Sequence, residues 1–340
     1  MRRLVGLGLS LVFLVGMLSG CGNSNLGNSA NSTSLRTLKV GYMPNMGSAS
    51  ALVTGIKMGY FKQEGLNVQL VQFSAGPGEI AAMASGNIDI SQIGNGAHTL
   101  AAKGKADIIC LDDFSIADEI LGNKDKGVNS ISDLRGKKIA TSLGSSSQLI
   151  LDLALASKGM TEKDVTVVNM DPSSAVTAMV SGNIAACAIW SPSTFIVKQK
   201  MGNKIVMLAN DTTFKDKVSF PSSFVVTPAY AQKHQTVLVK FVQGLYKAMD
   251  YRAGHIKQVA DWVASEIKQD PSLLQQDAHT SKWLTSKYVF DAVKDGTLKK
   301  MYQNQEQVFL QQGLIPSSVN VDNYVLYNIM TRAYEANNKA

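Results

Sequence analysis

A seven-residue phrase occurs twice in this chain, as AMASGNI at residues 82–88 and as AMVSGNI at residues 178–184. Each copy follows a Pro-containing turn and a helical pattern, and each precedes an apolar strand pattern. One supersecondary unit has therefore been used twice, and a repeat of this kind constrains the architecture. The sequence predicts two similar lobes with a cleft between them. The phrase itself is expected to be scaffold, with Gly86 and Gly182 ending helices and the isoleucines beginning buried strands.

Strand and helix patterns alternate in both units. We predict strands at residues 38–42, 68–73, 88–93, 108–111, 137–141, 165–169, 185–189 and 223–226. Ser48 or Ser50 is expected to cap the first helix, and Asp171 is expected to cap the helix that begins at Pro172. The alternation predicts an α/β fold in which each lobe is a mainly parallel sheet flanked by helices. After the last predicted strand, the chain to residue 340 is expected to be helical and to pack on one lobe.

The N-terminal residues have the pattern of an export signal. The basic pair Arg2-Arg3 precedes an apolar run at residues 4–18, which is short for a membrane span. The following Leu18-Ser19-Gly20-Cys21 resembles the bacterial lipobox, so residues 1–20 are expected to be removed and Cys21 to be lipidated. The protein would then be anchored in the cell membrane on its extracytoplasmic face. Residues 21–36 are rich in Gly, Asn and Ser, which is typical of a flexible tether.

Charge, cysteines and histidines argue against several classes of protein. The formal net charge is +7, but the lysines form no basic run, so nucleic acid is not an expected partner. Cys110 and Cys187 fall on strands of opposite units and are expected to be free, buried thiols. The four histidines lack metal-binding spacing, and no phosphate-binding glycine motif follows a strand. We therefore predict no metal, no cofactor and no enzymatic activity.

Several segments occur in the order found in one known family. They are Val40-Gly41-Tyr42, Gly59-Tyr60-Phe61-Lys62-Gln63-Glu64-Gly65-Leu66, Ser85-Gly86-Asn87-Ile88-Asp89, the run from Ser132 to Ala140, Gly144-Ser145-Ser146 and Ala188-Ile189-Trp190. Together they resemble the solute-binding proteins of bacterial ABC importers, in the branch that handles aliphatic sulfonates, taurine, nitrate and thiamine-precursor pyrimidines. One departure is Ser191-Pro192, because many relatives carry an acidic residue before this proline. The departure removes a possible charge from the cleft.

The resemblance implies a type II periplasmic-binding-protein fold with two lobes. Residues 37–120 and 222–340 would form lobe I, and residues 126–215 would form lobe II. The hinge segments would lie near 113–125 and 213–222. The resemblance further implies a monomer that captures a small anionic or zwitterionic solute, preferably of the aliphatic sulfonate or taurine type, by hinge closure. It would deliver this solute to an ABC permease with its ATPase.

Two other functions remain open at this stage. One is an enzyme on the same scaffold that acts on a pyrimidine thiamine precursor, and the other is a sensory solute-binding lipoprotein that docks to a receptor.

Ligands of open α/β sheets bind outside the carboxyl ends of the strands, so the candidate site lies in the loops there. The predicted ligand-binding residues are Asn45, Gly76, Asn95, Gly96, Asp113, Ser142, Gly144, Ser145, Ser146 and Trp190. The loop at residues 142–147 leads into a helix N-terminus, whose N–H groups and dipole suit an oxyanion. The alternative is that Ser145 or Ser146 only caps that helix.

The other candidate residues also have two interpretations. Asp112 and Asp113, with Asp118 and Glu119 close behind, are expected either to meet an ammonium group on the solute or to solvate the loop entering the hinge. Trp190 is expected either to form the bottom of the cleft through apolar contact or to belong to the core. His98 is expected to lie on a helix surface or to be hydrogen-bonded by other groups, and not to contact the ligand.

Overall fold

The structure, a computed structural model, describes residues 35–339. The predicted export signal, the lipidation site Cys21 and nearly all of the tether lie outside the described residues. None of the helices within residues 35–339 combines the length and the apolar character that crossing a membrane requires.

Strands and helices alternate through the first two thirds of the described chain, and helices dominate the rest. The strands are β1 (Arg36–Tyr42), β2 (Leu66–Gln72), β3 (Ile90–Ile93), β4 (Asp107–Ser115), β5 (Asp118–Asn123), β6 (Lys138–Thr141), β7 (Thr166–Asn169), β8 (Ala186–Trp190), β9 (Ile205–Asn210), β10 (Pro221–Val226) and β11 (Ser281–Trp283). The helices are α1 (Met46–Lys57), α2 (Tyr60–Gln63), α3 (Gly76–Ala84), α4 (His98–Ala102), α5 (Ser146–Ala156), α6 (Pro172–Val180), α7 (Ser193–Met201), α8 (Pro228–Lys233), α9 (Gln235–Gly254), α10 (Ile256–Ile267), α11 (Pro271–Asp277), α12 (Ser286–Lys294), α13 (Thr297–Gln311) and α14 (Tyr327–Asn337).

The strands form two sheets, which confirms the predicted α/β fold. The six-stranded sheet has the order β11-β4-β10-β3-β1-β2, and the five-stranded sheet has the order β7-β6-β8-β5-β9. In the first sheet β1 to β4 run in one direction and β10 and β11 run against them. In the second sheet β5 alone runs against the others. The first sheet has two parallel and three antiparallel pairs of neighbouring strands, and the second has two of each. Both sheets are therefore mixed, and the prediction of mainly parallel sheets is wrong in this detail because β5, β10 and β11 run against their neighbours.

The chain passes between the two sheets twice. It leaves the six-stranded sheet at the end of β4 and enters the other sheet at β5 after two residues, 116 and 117. It returns through residues 211–220, between β9 and β10.

The sequence patterns did not predict β5, β9 and β11. Strand β5 begins with two acidic residues, a type that is depleted in strands. We call the part built on the six-stranded sheet the first half and the part built on the five-stranded sheet the second half.

The repeated phrase occupies equivalent positions in the two halves. Gly86 and Gly182 follow the ends of α3 and α6 with φ values of 75° and 71°, in the left-handed region that glycine adopts without strain. Ile88 and Ile184 are buried, but they precede their strands by two residues and do not begin them. The phrase therefore ends a helix and leads into a strand in both halves, as predicted for scaffold.

Local capping chemistry sets where the helices begin. Asp171 caps α6 as predicted, and its carboxylate accepts hydrogen bonds from the N–H groups of Ser173 and Ser174. The prediction for α1 is wrong, because its N-cap is Asn45, whose side-chain oxygen accepts from the N–H of Ser48 at 2.8 Å. The Ser48 hydroxyl instead accepts a hydrogen bond from the N–H of Met43, since it lies one turn inside the helix.

The C-terminal region packs on the first half through apolar contacts. Phe241 of α9 stacks on Phe61 with ring centroids 5.2 Å apart, and both side chains are buried. The prediction that this region is entirely helical is wrong at β11, which pairs with β4 and places Trp283 opposite Asp113. Cys110 and Cys187 are free and buried, as predicted.

Candidate functional site

A small cavity lies between the two halves at the carboxyl ends of strands from both sheets. It is bordered by the loops after β1, β3 and β4 on one side and by those after β6 and β8 on the other. The volume open to the centres of water-sized molecules is about 50 Å³. A single water needs roughly 10–15 Å³ by this measure, so the cavity admits only a few water-sized groups. The position agrees with the rule that ligands of open α/β sheets bind beyond the strand ends.

The structure brings seven of the ten predicted ligand-binding residues to the cavity wall. They are Asn45, Gly76, Asn95, Asp113, Ser145, Ser146 and Trp190. Gly96, Ser142 and Gly144 do not line it. That any of these residues contacts a solute stays a prediction.

Gly96 and Gly144 lie where the halves touch. A Cβ at Gly96 would fall 2.1 Å from the carbonyl carbon of Ser145, so only glycine allows the two backbones to approach this closely. Gly144 has a φ of 77°, and a Cβ there would lie 3.0 Å from Cγ of Pro77 in the opposite half. The two glycines therefore serve the contact between the halves.

The serine-rich loop before α5 uses much of its hydrogen-bonding capacity internally. The N–H of Leu143 donates to Asn169, and the N–H of Gly144 donates to Oε1 of Gln148 at 2.6 Å. Ser145 caps α5 by accepting from the N–H of Gln148, and its hydroxyl donates to the carbonyl of Ser142. Ser145 therefore caps α5, and its contact with a solute stays a prediction. Of the side chains in this loop, Ser145 and Ser146 remain at the cavity wall.

The cavity residues Asn45 and Asn95 also make hydrogen bonds within the protein. Asn45 caps α1, while the Asn95 amide donates to the carbonyl of Ser219 at 3.2 Å and its oxygen accepts from Gln305. His98 lies one turn beyond Asn95, is buried and contacts Gln305 at 3.2 Å, and it does not line the cavity. Burial lowers the pKa of His98 to about 4.

The acidic residues near the first crossing are buried, so the prediction that they solvate the loop is wrong for Asp112, Asp113 and Asp118. Asp112 forms an ion pair with the buried guanidinium of Arg252 at 2.8 Å. Glu119 pairs with Lys198 and does not line the cavity. Asp113 and Asp118 do line it, one from each half.

Neither of these two lining carboxylates has a basic partner. Within residues 35–339 neither oxygen of Asp113 accepts a hydrogen bond of regular geometry, although the hydroxyls of Ser222 and Ser281 are near enough to lower its pKa. Burial, followed by the charge of Asp112, raises the pKa of Asp113 to about 7, although Arg252 opposes the shift. Asp118 accepts a hydrogen bond from the Ser147 hydroxyl, and burial raises its pKa to about 6.

Asp277 is a lining residue that the sequence analysis missed. It ends α11, and one of its oxygens accepts hydrogen bonds from the hydroxyls of Ser191 and Thr280. The other oxygen accepts from the N–H of Met46 at 2.8 Å. The bond to Ser191 joins the loop after β8 to a carboxylate supplied by the opposite half. No local pattern signals this pairing, because 86 residues separate the two partners.

Trp190 also lines the cavity from the second half. It ends β8 and is half-buried, which places it at the cleft and not inside the core.

Within the described part of the chain, no cluster of His, Cys, Asp and Glu has the arrangement of a metal site.

Comparison with known proteins identifies the family. The family model described as NMT1/THI5 like matches residues 48–258. This chain belongs to the NMT1/THI5-like family. A Brucella abortus protein named as a binding protein is 30% identical over 294 residues, which are 86% of this chain and 91% of that relative. A Bacillus subtilis protein named for binding aliphatic sulfonates is 29% identical over 265 residues, 76% of this chain and 77% of the relative.

A solved structure shows the fold of this NMT1/THI5-like chain. The alkanesulfonate-binding protein SsuA from Xanthomonas axonopodis pv. citri, bound to MOPS, superposes with a TM-score of 0.67 at 22% identity. The match covers 85% of this chain and 98% of the SsuA chain. The two-sheet architecture is therefore that of the periplasmic binding proteins.

Proposed function

We propose that this protein is the extracytoplasmic solute-binding component of an ABC importer. The observation that carries the proposal is the cavity between the two halves, which takes its wall from the strand ends of both sheets. The family membership and the names of the relatives support it. We propose the same non-catalytic role for this chain that those names give to the relatives, with a small anionic or zwitterionic solute of the aliphatic sulfonate or taurine type.

The contacts between the halves suggest how capture works. The backbones of Gly96 and Ser145 touch, and the Ser191 hydroxyl donates to Asp277 across the cavity. These contacts form when the halves are closed, so a solute that touches both halves shifts the population toward the closed form. We propose that the two halves move as two lobes. The predicted division into residues 37–120 with 222–340 and residues 126–215 changes at residues 118–120, because β5 pairs within the five-stranded sheet and belongs to the second half. The two crossings of the chain would be the hinge.

The remaining parts of the proposal concern the cellular setting. We propose that a lipid on Cys21 anchors a monomeric protein at the membrane and that the closed form is presented to a permease with its ATPase. Uptake of the bound solute by cells lacking this protein tests the importer role. Unchanged uptake in those cells would favour a sensory lipoprotein.

A calorimetric panel tests the binding function itself. Purified protein is titrated with taurine, ethanesulfonate, isethionate, nitrate, β-alanine and an aminopyrimidine. Saturable one-to-one binding of at least one sulfonate or zwitterion is expected. Absence of saturable binding across the panel would contradict the proposal, and turnover of the pyrimidine would favour an enzyme.

A further inference from the structure

The charges at the cavity wall are all of one sign. Among the lining residues that the structure describes, the charged side chains are Asp113, Asp118 and Asp277, and none is Lys, Arg or His. A solute that carries only negative charge would meet repulsion from each ionised carboxylate and no compensating cation. The wall therefore favours a solute that brings a positive charge.

Arg252 is the cation whose charge acts on Asp113, and it is paired with other groups. Arg252 is buried, pairs with Asp112 and also donates to the Ser50 hydroxyl at 2.9 Å. Its guanidinium lies 4.7 Å from the ring centroid of Trp283. These contacts occupy the two terminal nitrogens of Arg252, and no ion pair joins Arg252 to Asp113 within residues 35–339. Asp113 is therefore a buried carboxylate whose polar neighbours include the neutral hydroxyls of Ser222 and Ser281, and neither hydroxyl forms a hydrogen bond of regular geometry with it.

Gly47 leaves room for a hydrogen-bond donor beside this carboxylate. A Cβ built at Gly47 would lie 3.6 Å from Oδ2 of Asp113 and 3.5 Å from Oδ1 of Asn45. The missing side chain thus opens a space that faces two acceptor oxygens, and Gly47, Asn45 and Asp113 all line the cavity. A group with several N–H donors and a positive charge fits such a space, since charge-assisted hydrogen bonds are the strong ones.

We propose that the solute carries a protonated amine and that Asp113 and Asn45 hold it in the space beside Gly47. The inference rests on the proposed solute-binding function and narrows it from sulfonates in general to small aminated zwitterions. Asp118 and Asp277 contribute negative charge to the same cavity. Asp277 accepts three hydrogen bonds and Asp118 accepts one from Ser147, whereas Asp113 accepts none of regular geometry within the described residues, so Asp113 is the carboxylate most open to a ligand.

The first test compares taurine with isethionate, which replaces the amine by a hydroxyl and keeps the sulfonate and the chain length. Taurine is expected to bind about 10- to 100-fold more tightly, which corresponds to one charge-assisted hydrogen-bonded contact. Equal or tighter binding of isethionate would overturn the amine assignment and leave the solute-binding function intact. If neither these two nor the other members of the panel bind, both the function and the inference fail.

The second test is the isosteric variant Asp113→Asn. It is expected to weaken taurine binding by about 10- to 100-fold and to leave isethionate binding unchanged or improved. Asp171→Asn is the matched control, because it removes one negative charge that does not line the cavity while asparagine still caps α6. Equal loss of both ligands in a variant with an unchanged melting temperature would contradict the role of Asp113. The taurine and isethionate comparison in the wild-type protein decides the matter if the variant does not fold.

Discussion

The Ser191 hydroxyl donates a hydrogen bond to Oδ1 of Asp277, and the two residues belong to opposite halves of the molecule. Ser191 follows β8 of the five-stranded sheet, whereas Asp277 ends the helix that leads toward β11 of the six-stranded sheet. Both side chains are buried at the cavity wall. The bond therefore exists only when the halves are together, and it makes closure and the shape of the site interdependent.

We expect Ser191→Ala to weaken solute binding about tenfold, because the closed form loses a hydrogen bond to a charged group. The free, open form makes no such bond, so its melting temperature should change little. Calorimetry of the variant measures the loss. Ser181→Ala is the control, since that hydroxyl bonds only to carbonyls of its own helix. Wild-type affinity in Ser191→Ala would show that the bond does not stabilise the closed form.

We expect Gly96→Ala to weaken solute binding more severely than Ser191→Ala does. The added methyl would fall 2.1 Å from a backbone carbon of Ser145, and backbone cannot move aside as a flexible side chain can. Gly78→Ala provides the control, since its Cβ would meet Phe73 at 3.8 Å, an ordinary contact distance. Similar affinities for the two alanine variants would contradict a tight approach of the halves at Gly96.

Binding of an aminated solute should depend on pH. With the halves together the pKa of Asp113 is about 7, and a bound ammonium lowers it, so occupation of the closed cavity by the amine releases protons when the pH is below that value. Affinity for taurine is therefore expected to fall as pH falls below 7, by at most about tenfold per pH unit for each linked proton. Asp112 and Arg252 face Asp113 and keep their ion pair, while Asp118, with a pKa of about 6, adds to the same trend.

Calorimetry in two buffers of different ionisation enthalpy measures the proton release directly. Isethionate is the control ligand, and its binding should show less proton release because it brings no positive charge. A taurine affinity that is constant from pH 5.5 to 8 would exclude coupling to Asp113.

Glu79 predicts a separate effect of pH on stability. Its side chain is fully buried, accepts a hydrogen bond from the Ser91 hydroxyl and has a pKa raised by burial to about 8. The folded protein therefore holds a proton that the unfolded chain releases above a pH of about 4.5, and stability falls as pH rises from there to about 8. Glu79→Gln should gain stability relative to the wild type across this window, by a few kcal/mol at its upper end. Denaturant unfolding of the variant and the wild type at pH 5 and pH 8.5 measures this gain. The same difference in the free energy of unfolding at both pH values would contradict the prediction.

The sequence predicted the features that depend on neighbours along the chain. Asp171 lies directly before Pro172, and Ser145 follows a glycine that ends a turn, so both caps could be assigned from local chemistry. The alternation of strand and helix patterns predicted the two sheets, because each pattern is also set by residues close together in the sequence. Asn45 was missed as a cap because two serines shortly after it have the same local propensity, and only the backbone geometry decides among them.

The site was predictable only in part, because its composition depends on distant segments. Asp113 was identified from its place at a strand end, but the pattern could not show that Arg252 is committed to Asp112. Asp277 lies at the cavity because it ends α11 just before β11. Strand β11 was not predicted, since the surrounding sequence has a helical pattern. Gly96 was predicted as a ligand-binding residue, and the structure adds a backbone contact with Ser145 that no local signal encodes.

The central claim is that a solute bound in the cavity closes the two halves. Because both native cysteines of the described chain are buried, spin labels can be placed selectively at Lys163→Cys and Lys233→Cys, two exposed positions in opposite halves. Pulsed electron spin resonance then measures the distance between the labels with and without saturating taurine, or with the ligand that the panel identifies. The account predicts that the distance distribution shifts to shorter values and narrows on binding. Identical distributions in the presence and absence of a bound solute would contradict it.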